Sequence, residues 1–200
     1  MANAAIYDPR FMILVRHGQS EFNVVYGETR RDPGIRDPIL TGLGHRQAAH
    51  TATILAELPI KRIICSPYRR ALQTAEIIAA AFNTTFEINA GVGERAAFTC
   101  DIGTTRSNLQ KTWPHLRFDH LDEEWWPTLE ESEYSLDQRS QLFRKHMTAT
   151  TDWTNTLVVT HWGFIRSLTG HRVGNCAVVR FDPSQAHPGG GHVVSTPDVC

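Results

Sequence analysis

Arg16, His17 and Gly18 follow directly on the apolar run Ile13–Val15, so a strand ends in a cation and an imidazole. The arrangement recurs in "VVTHWGFIRSL", where His161 closes a second apolar run and a helix-like segment follows. A third run, "RIIC", leads through Ser66 and Pro67 to Arg69 and Arg70 at the start of a helical stretch. Parallel strands ending in this way aim two histidines and two or three guanidiniums at one edge of a sheet, where open α/β sheets carry their ligands. The set suits a tetrahedral polyanion, because guanidinium forks match phosphate oxygens bidentately and helix N-termini add backbone donors and a favourable dipole. Amid these cations a neutral His17 is able to attack phosphorus while the clamp neutralises charge on the transferring group. That chemistry calls for no metal and no cofactor. It does need a carboxylic acid to protonate the departing oxygen, and Glu94 and Asp101 lie in the irregular stretch expected to wall the pocket.

The elements that must position these groups are legible in the apolar pattern. "FMILV", "RIIC" and "TLVVT" are continuous, β-branched-rich runs, as expected of strands covered on both faces. Between the first two, Ala48, Ala52, Leu55 and Leu58 recur at helical spacing, and after "CSP" the set Leu72, Ala75, Ala79 and Phe82 does the same. "SLDQRSQLFRKHM" predicts a third helix, opened by a Ser135–Gln138 capping box, with Leu136, Ser140, Phe143 and Met147 on one face. The alternation implies right-handed crossovers. The expected fold is α/β, a three-layer sandwich with a mainly parallel central sheet flanked by helices. The closing "CAVVRFDPSQAHPGGGHVVS" reads as two short strands and a Pro/Gly-rich loop, a candidate antiparallel edge hairpin. The stretch from Gly91 to Glu133 is the least periodic and is expected to form lids or pocket walls.

Bulk properties narrow the function classes. The 200 residues suit one domain, taken as 1–200, and 41% hydrophobic with 20% charged residues fits a globular protein. A formal net charge of −1 gives no pull toward nucleic acid or an anionic membrane. The chain has no basic-then-apolar leader and no run approaching the ~18 apolar residues of a membrane span, so a cytoplasmic location is the default. Cys65, Cys100, Cys176 and Cys200 are scattered, which indicates neither a zinc knuckle nor a disulfide framework.

"RHGQSEFN", "LTGLGHRQA", "CSPYRRALQTAE" and "VVTHWGFIRSL" resemble, in order and approximate spacing, the four blocks of the histidine phosphatase superfamily in its phosphoglycerate mutase-like branch. The resemblance runs from Ile13 to about Leu168. It implies that His17 becomes phosphorylated and that Arg16, Arg70 and His161 complete the phosphate pocket, with Arg70 preferred to Arg69 by its place before the small residue of "RALQTA". It also makes Asn23 a phosphate contact and Glu94 the proton donor, with Asp101 in reserve because "GVGERAAFTCDIG" matches the family's acid segment imperfectly. Trp162 departs from the small residue that often follows the second histidine, which implies a substrate contact or a narrowed entrance.

The activity so implied is a metal-independent phosphomonoesterase acting on a phosphorylated small molecule or phosphoprotein. Hydrolysis is preferred to a bisphosphate-primed mutase reaction because the insertions of the dimeric mutases do not fit into 200 residues. A non-catalytic phospho-ligand module is a second rival, disfavoured by the complete pocket. Arg30, Arg31 and Arg36 beside Asp-Pro turns either rim the pocket and select acidic substrates or are solvated, the second reading being preferred, and "HLRFDHLDEE" matches no metal motif. Trp125 and Trp126 either close over a ligand or pack beneath a loop.

Overall fold

The computed structural model describes residues 8, 10–128 and 130–197; Cys200 lies outside them. A six-stranded sheet has the order β3-β2-β4-β1-β5-β6. Its strands are β1 (Met12–Arg16), β2 (Arg62–Cys65), β3 (Glu87–Ile88), β4 (Thr156–Thr160), β5 (Val178–Phe181) and β6 (Gly191–Ser195). β3, β2, β4 and β1 run parallel, and β5 and β6 add an antiparallel edge hairpin in which β5 also pairs with β1. Six helices accompany the sheet: α1 (Glu21–Thr29), α2 (Gly42–Leu55), α3 (Arg69–Ala81), α4 (Arg106–Thr112), α5 (Glu133–Thr148) and α6 (Trp162–Thr169).

The continuous apolar strands are explained by burial on both faces. Ile13, Val15, Ile63, Cys65, Leu157 and Val159 point into one core with Ala52 and Leu55 of α2 and Leu72, Ala75 and Ile78 of α3. Their alternating neighbours Met12, Leu14, Ile64 and Val158 point into the other, with Leu136, Phe143 and Met147 of α5 and Phe164, Ile165 and Leu168 of α6. Each side chain on these strands thus meets a helix layer, which the period-2 geometry of a strand requires. At about 25 cal/mol per Å² of apolar surface, these two cores supply the main favourable term.

Two expectations are corrected. α5 begins at Glu133, and its cap is Ser132, whose Oγ accepts from the N–H of Ser135 at 3.1 Å. Ser135 is therefore inside the first turn rather than at the cap, because Ser132 satisfies the open N–H groups a turn earlier. The predicted face holds, with Leu136, Ser140, Phe143 and Met147 all buried. The irregular stretch is only partly pocket wall: Leu109, Trp113, Leu116, Phe118 and Leu121 close the first core. Trp126 is buried, and Trp125 packs edge-on to Tyr68 while its Nε1 donates to the Thr104 carbonyl, so this pair packs rather than covers a ligand. Among the described residues, no helix is long and apolar enough to cross a membrane. Cys65, Cys100 and Cys176 are buried, free thiols.

Candidate active site

The sheet register brings the site together. β1 and β4 are parallel neighbours with Arg16 opposite Thr160, so the next residues, His17 and His161, emerge side by side with ring centroids 5.1 Å apart. β2 flanks β4 on the other side, with Cys65 opposite Val159, and the following Ser66 reaches His161: its Oγ lies 2.8 Å from Nε2. Nδ1 of His161 is buried without a partner, a polar atom that an occupant of the site would satisfy. His17 opens on a cavity of about 650 Å³ lined also by Arg16, Asn23, Arg70, Glu94 and Trp162, among others, with His161 and Ser66 buried behind it.

His17 is held in one tautomer. Its Nδ1 lies 2.7 Å from the carbonyl of Gly18, which can only accept, so Nδ1 carries the proton and Nε2 keeps its lone pair. Burial, then the nearby Arg70 and Arg16 charges, hold the ring well below the usual histidine range. His161 is shifted in the same direction, by burial and then by Arg70 and His17.

The loop carrying His17 is locked by α3 and by "LTGLGHRQA", whose role the sequence alone left unread. The Gly18 N–H donates to Thr74 Oγ1 at 3.1 Å, and the Gln19 N–H donates to Gln47 Oε1 at 2.9 Å. A Cβ on Gly44 would sit 2.1 Å from the Gln19 carbonyl oxygen, and one on Gly18 would sit 2.5 Å from that of Gly44. Both positions exclude any side chain, which accounts for glycines at a helix start and a strand exit.

Arg70 is buried, with guanidinium nitrogens 2.9 Å from the Cys100 carbonyl and 3.1 Å from Asp101 Oδ1, and its plane over the Tyr68 ring. Asp101 is occupied in full: Oδ2 also accepts from the N–H groups of Ala97 and Phe98. It orients Arg70 and holds the wall. Arg16 donates to the Val173 carbonyl at 2.8 Å while its Nε is buried and unpartnered, and burial pulls its pKa down to about 10. Arg69 does not line the cavity; its N–H binds Asp37 at 3.0 Å at the start of α3.

Glu94 lines the cavity. Its Oε1 accepts from the N–H groups of Arg95 and Gly163, at 2.9 and 2.8 Å, while Arg95 pairs with Glu130 and Glu133. Burial first, and then the Asp101 charge, raise the Glu94 pKa against the opposing pull of Arg70. Its backbone is clamped from α5: Arg139 donates to the carbonyls of Gly91, Gly93 and Glu94 and forms a two-point pair with Glu131. Nothing in the local pattern of Arg139 distinguishes it from the other charges on an exposed helix face.

Asn23 Oδ1 accepts from the Ser20 N–H at 3.0 Å and from Asn175 Nδ2 at 3.1 Å, which orients its amide at the cavity wall. Asn175 also donates to the His17 carbonyl, and it arrives there only because β5 runs antiparallel to β1, a register that sequence pattern does not reveal. Trp162 lines the cavity as the first residue of α6, with the Arg166 guanidinium 5.2 Å above its ring. The three arginines expected to be solvated are all exposed; Arg31 and Arg36 do not line the cavity, but Arg30 does, because α1 runs along the cavity and ends at it. Among the described residues, no group of three or more His, Cys, Asp or Glu side chains is arranged to hold a metal ion.

The chain belongs to the histidine phosphatase superfamily (branch 1), whose family profile matches residues 12–187. It is 30% identical over 173 residues to a glucosyl-3-phosphoglycerate phosphatase of Mycolicibacterium vanbaalenii, covering 82% of this chain and 75% of that protein. It is 42% identical over 76 residues to a 2,3-bisphosphoglycerate-dependent phosphoglycerate mutase of Thermoplasma acidophilum, a match spanning 37% of this chain and only 36% of the mutase. Among solved structures, a mycobacterial glucosyl-3-phosphoglycerate phosphatase complexed with VO3 shares the fold with a TM-score of 0.62 at 21% identity, covering 96% of this chain and 98% of the other.

Proposed function

We propose that this chain is a phosphomonoesterase that transfers the phosphoryl group of its substrate to His17 and then to water, residues 1–200 acting as one catalytic domain. The carrying observation is the His17 ring itself: neutral, with Nδ1 committed to the Gly18 carbonyl and Nε2 free beside two arginines. In this reading Nε2 attacks phosphorus in line. Arg16, Arg70, Asn23 and His161 Nδ1–H receive the equatorial oxygens, whose charge they meet with preorganised donors. Glu94, whose pKa burial raises, gives a proton to the departing alkoxide. The resulting carboxylate then takes a proton from water as that water attacks the phosphohistidine, which returns His17 and Glu94 to their starting states.

The mutase reading draws on the Thermoplasma match, which covers the minor part of both chains. Addition of a catalytic amount of 2,3-bisphosphoglycerate separates the two, since a mutase is primed by it and a phosphatase is not. Brief incubation with a labelled aryl phosphate followed by acid-free quenching is expected to give an acid-labile, alkali-stable label that His17→Ala abolishes, with turnover unaffected by EDTA. Normal labelling and turnover in His17→Ala would remove this mechanism. Binding of phosphate esters without turnover would favour a recognition module.

A further inference from the structure

The cavity is larger than a phosphoryl group requires, and its outer half has a composition of its own. Phe22, Tyr26 and Phe98 form a mutually packed aromatic wall, with ring centroids 5.1 to 5.5 Å apart. Phe98 is 40% exposed, which is unfavourable for a phenyl group unless something covers it. Phe22 and Tyr26 come from α1, directly after the loop that carries His17, so the wall and the phosphate pocket share one cavity. Apart from the Tyr26 hydroxyl, these side chains offer no hydrogen-bonding group, and so hold little for a polyhydroxylated leaving group.

Charge at the mouth is uneven. Arg95 is paired with Glu130 and Glu133, and Arg166 with Glu133. Arg30, which lies 5.9 Å from the Tyr26 ring, has no carboxylate partner among the described residues. The outer half therefore presents flat apolar surface ending in one uncompensated guanidinium, a combination that fits a ring with an anionic substituent.

We propose that this outer half is a ring-binding subsite, and that the substrate is a small phosphomonoester of an aromatic alcohol bearing a second anionic group. The ring stacks on Phe98 and Tyr26, its anion meets Arg30, and its phosphoryl group reaches His17. The proposal rests on the phosphomonoesterase reading for its chemistry, but the subsite is readable by binding alone.

Calorimetric titration of the whole protein with methylphosphonate, benzylphosphonate and 4-carboxybenzylphosphonate tests it, because none of the three is hydrolysed. Affinity is expected to rise along the series, the carboxylate adding about threefold to tenfold. Arg30→Gln should erase the step between the last two compounds, and Phe98→Ala should shrink the step between the first two by about threefold or more. Equal affinity for methyl- and benzylphosphonate, or a carboxylate step that survives Arg30→Gln, would overturn the proposal. Turnover of 4-carboxybenzyl phosphate is scored separately. Graded binding without turnover keeps the subsite and refutes hydrolysis, whereas turnover without graded binding keeps hydrolysis and refutes the subsite.

Discussion

The N–H of Gly163 donates to Oε1 of Glu94 at 2.8 Å, tying the start of α6 to the segment that carries the acid. A Cβ on residue 163 would lie 2.4 Å from that oxygen and 3.3 Å from the Arg95 Cβ. Gly163→Ala must therefore push the carboxyl out of place. If Glu94 protonates the leaving oxygen, alkyl phosphates suffer and aryl phosphates, whose leaving groups need less help, suffer much less. Glu94→Gln is expected to slow alkyl esters by ~100-fold or more, and Gly163→Ala to reproduce the same pattern at smaller amplitude. A plot of log kcat/KM against leaving-group pKa for each variant is the measurement, and a uniform loss across leaving groups would remove Glu94 from the role. Because the Glu94 pKa is raised, wild-type activity on alkyl esters should fall as pH rises through that value, and this alkaline limb should vanish in Glu94→Gln.

His17 carries a signature in stability as well as in rate. Its pKa is ordinary in the unfolded chain and well below 6.5 in the folded one. Between those values the unfolded chain binds a proton that the native protein does not, so stability rises with pH across the window and falls as the medium is acidified below about 6.5. Removing the ring removes that dependence. Denaturant titrations from pH 5 to 6.5 should show a slope for His17→Gln that is less positive than wild type, by at most about 1.4 kcal/mol per pH unit. An unchanged slope would mean that folding does not lower the pKa of the ring.

What the sequence made legible follows from the periodicity of its neighbours. β1, β2 and β4 were readable because both faces of each are covered, leaving continuous apolar runs, and His17, His161 and Arg70 were readable as the polar residues that end or follow them. The order of the strands was not written locally. Nothing in "RIIC" states that β2 lies beside β4, and that adjacency is what puts Ser66 on His161. Asp101 looked like a spare proton donor because sequence shows a carboxylate without its partners; folded, both oxygens serve Arg70 and the wall. Arg30 is exposed, as expected, and only the path of α1 along the cavity brings it to the mouth. The Ser135 cap failed for a simpler reason, since Ser132 offers the same hydroxyl one turn earlier.

Arg139 holds the backbone that carries Glu94. Its three carbonyl bonds fix the backbone from Gly91 to Glu94, and Glu131, itself buried, fixes the guanidinium. Arg139→Met keeps an apolar stem and deletes the donors, together with the guanidinium that lies 5.2 Å from the Phe164 ring centroid. The expected result is a fall in kcat on alkyl phosphates of about tenfold, with inhibition by inorganic phosphate little changed and the alkaline limb of the pH profile displaced. Arg139→Lys should restore only part of the rate, since one ammonium cannot span three carbonyls and a carboxylate. A loss confined to thermal stability, with the pH profile intact, would make the clamp purely structural.

Trp162 follows His161 directly, yet its ring lines the cavity while the His161 ring turns inward to Ser66. Under the proposed function the histidine serves the phosphoryl group and the indole the leaving group. The Arg166 guanidinium covers the indole at 5.2 Å and is itself tied to Glu133, so the ring is held rather than free to swing. A fixed flat surface at that place discriminates by shape and leaves the phosphate clamp untouched. Trp162→Ala should therefore change the ratio of kcat/KM between large and small phosphate esters by the equivalent of about 1 to 3 kcal/mol. The inhibition constant of inorganic phosphate should stay within about twofold of wild type, since no oxygen of the phosphoryl group is assigned to the indole. Parallel loss on every ester together with weakened phosphate inhibition would mean that the indole only buttresses His161, and selectivity would then rest with the opposite wall of Phe22, Tyr26 and Phe98.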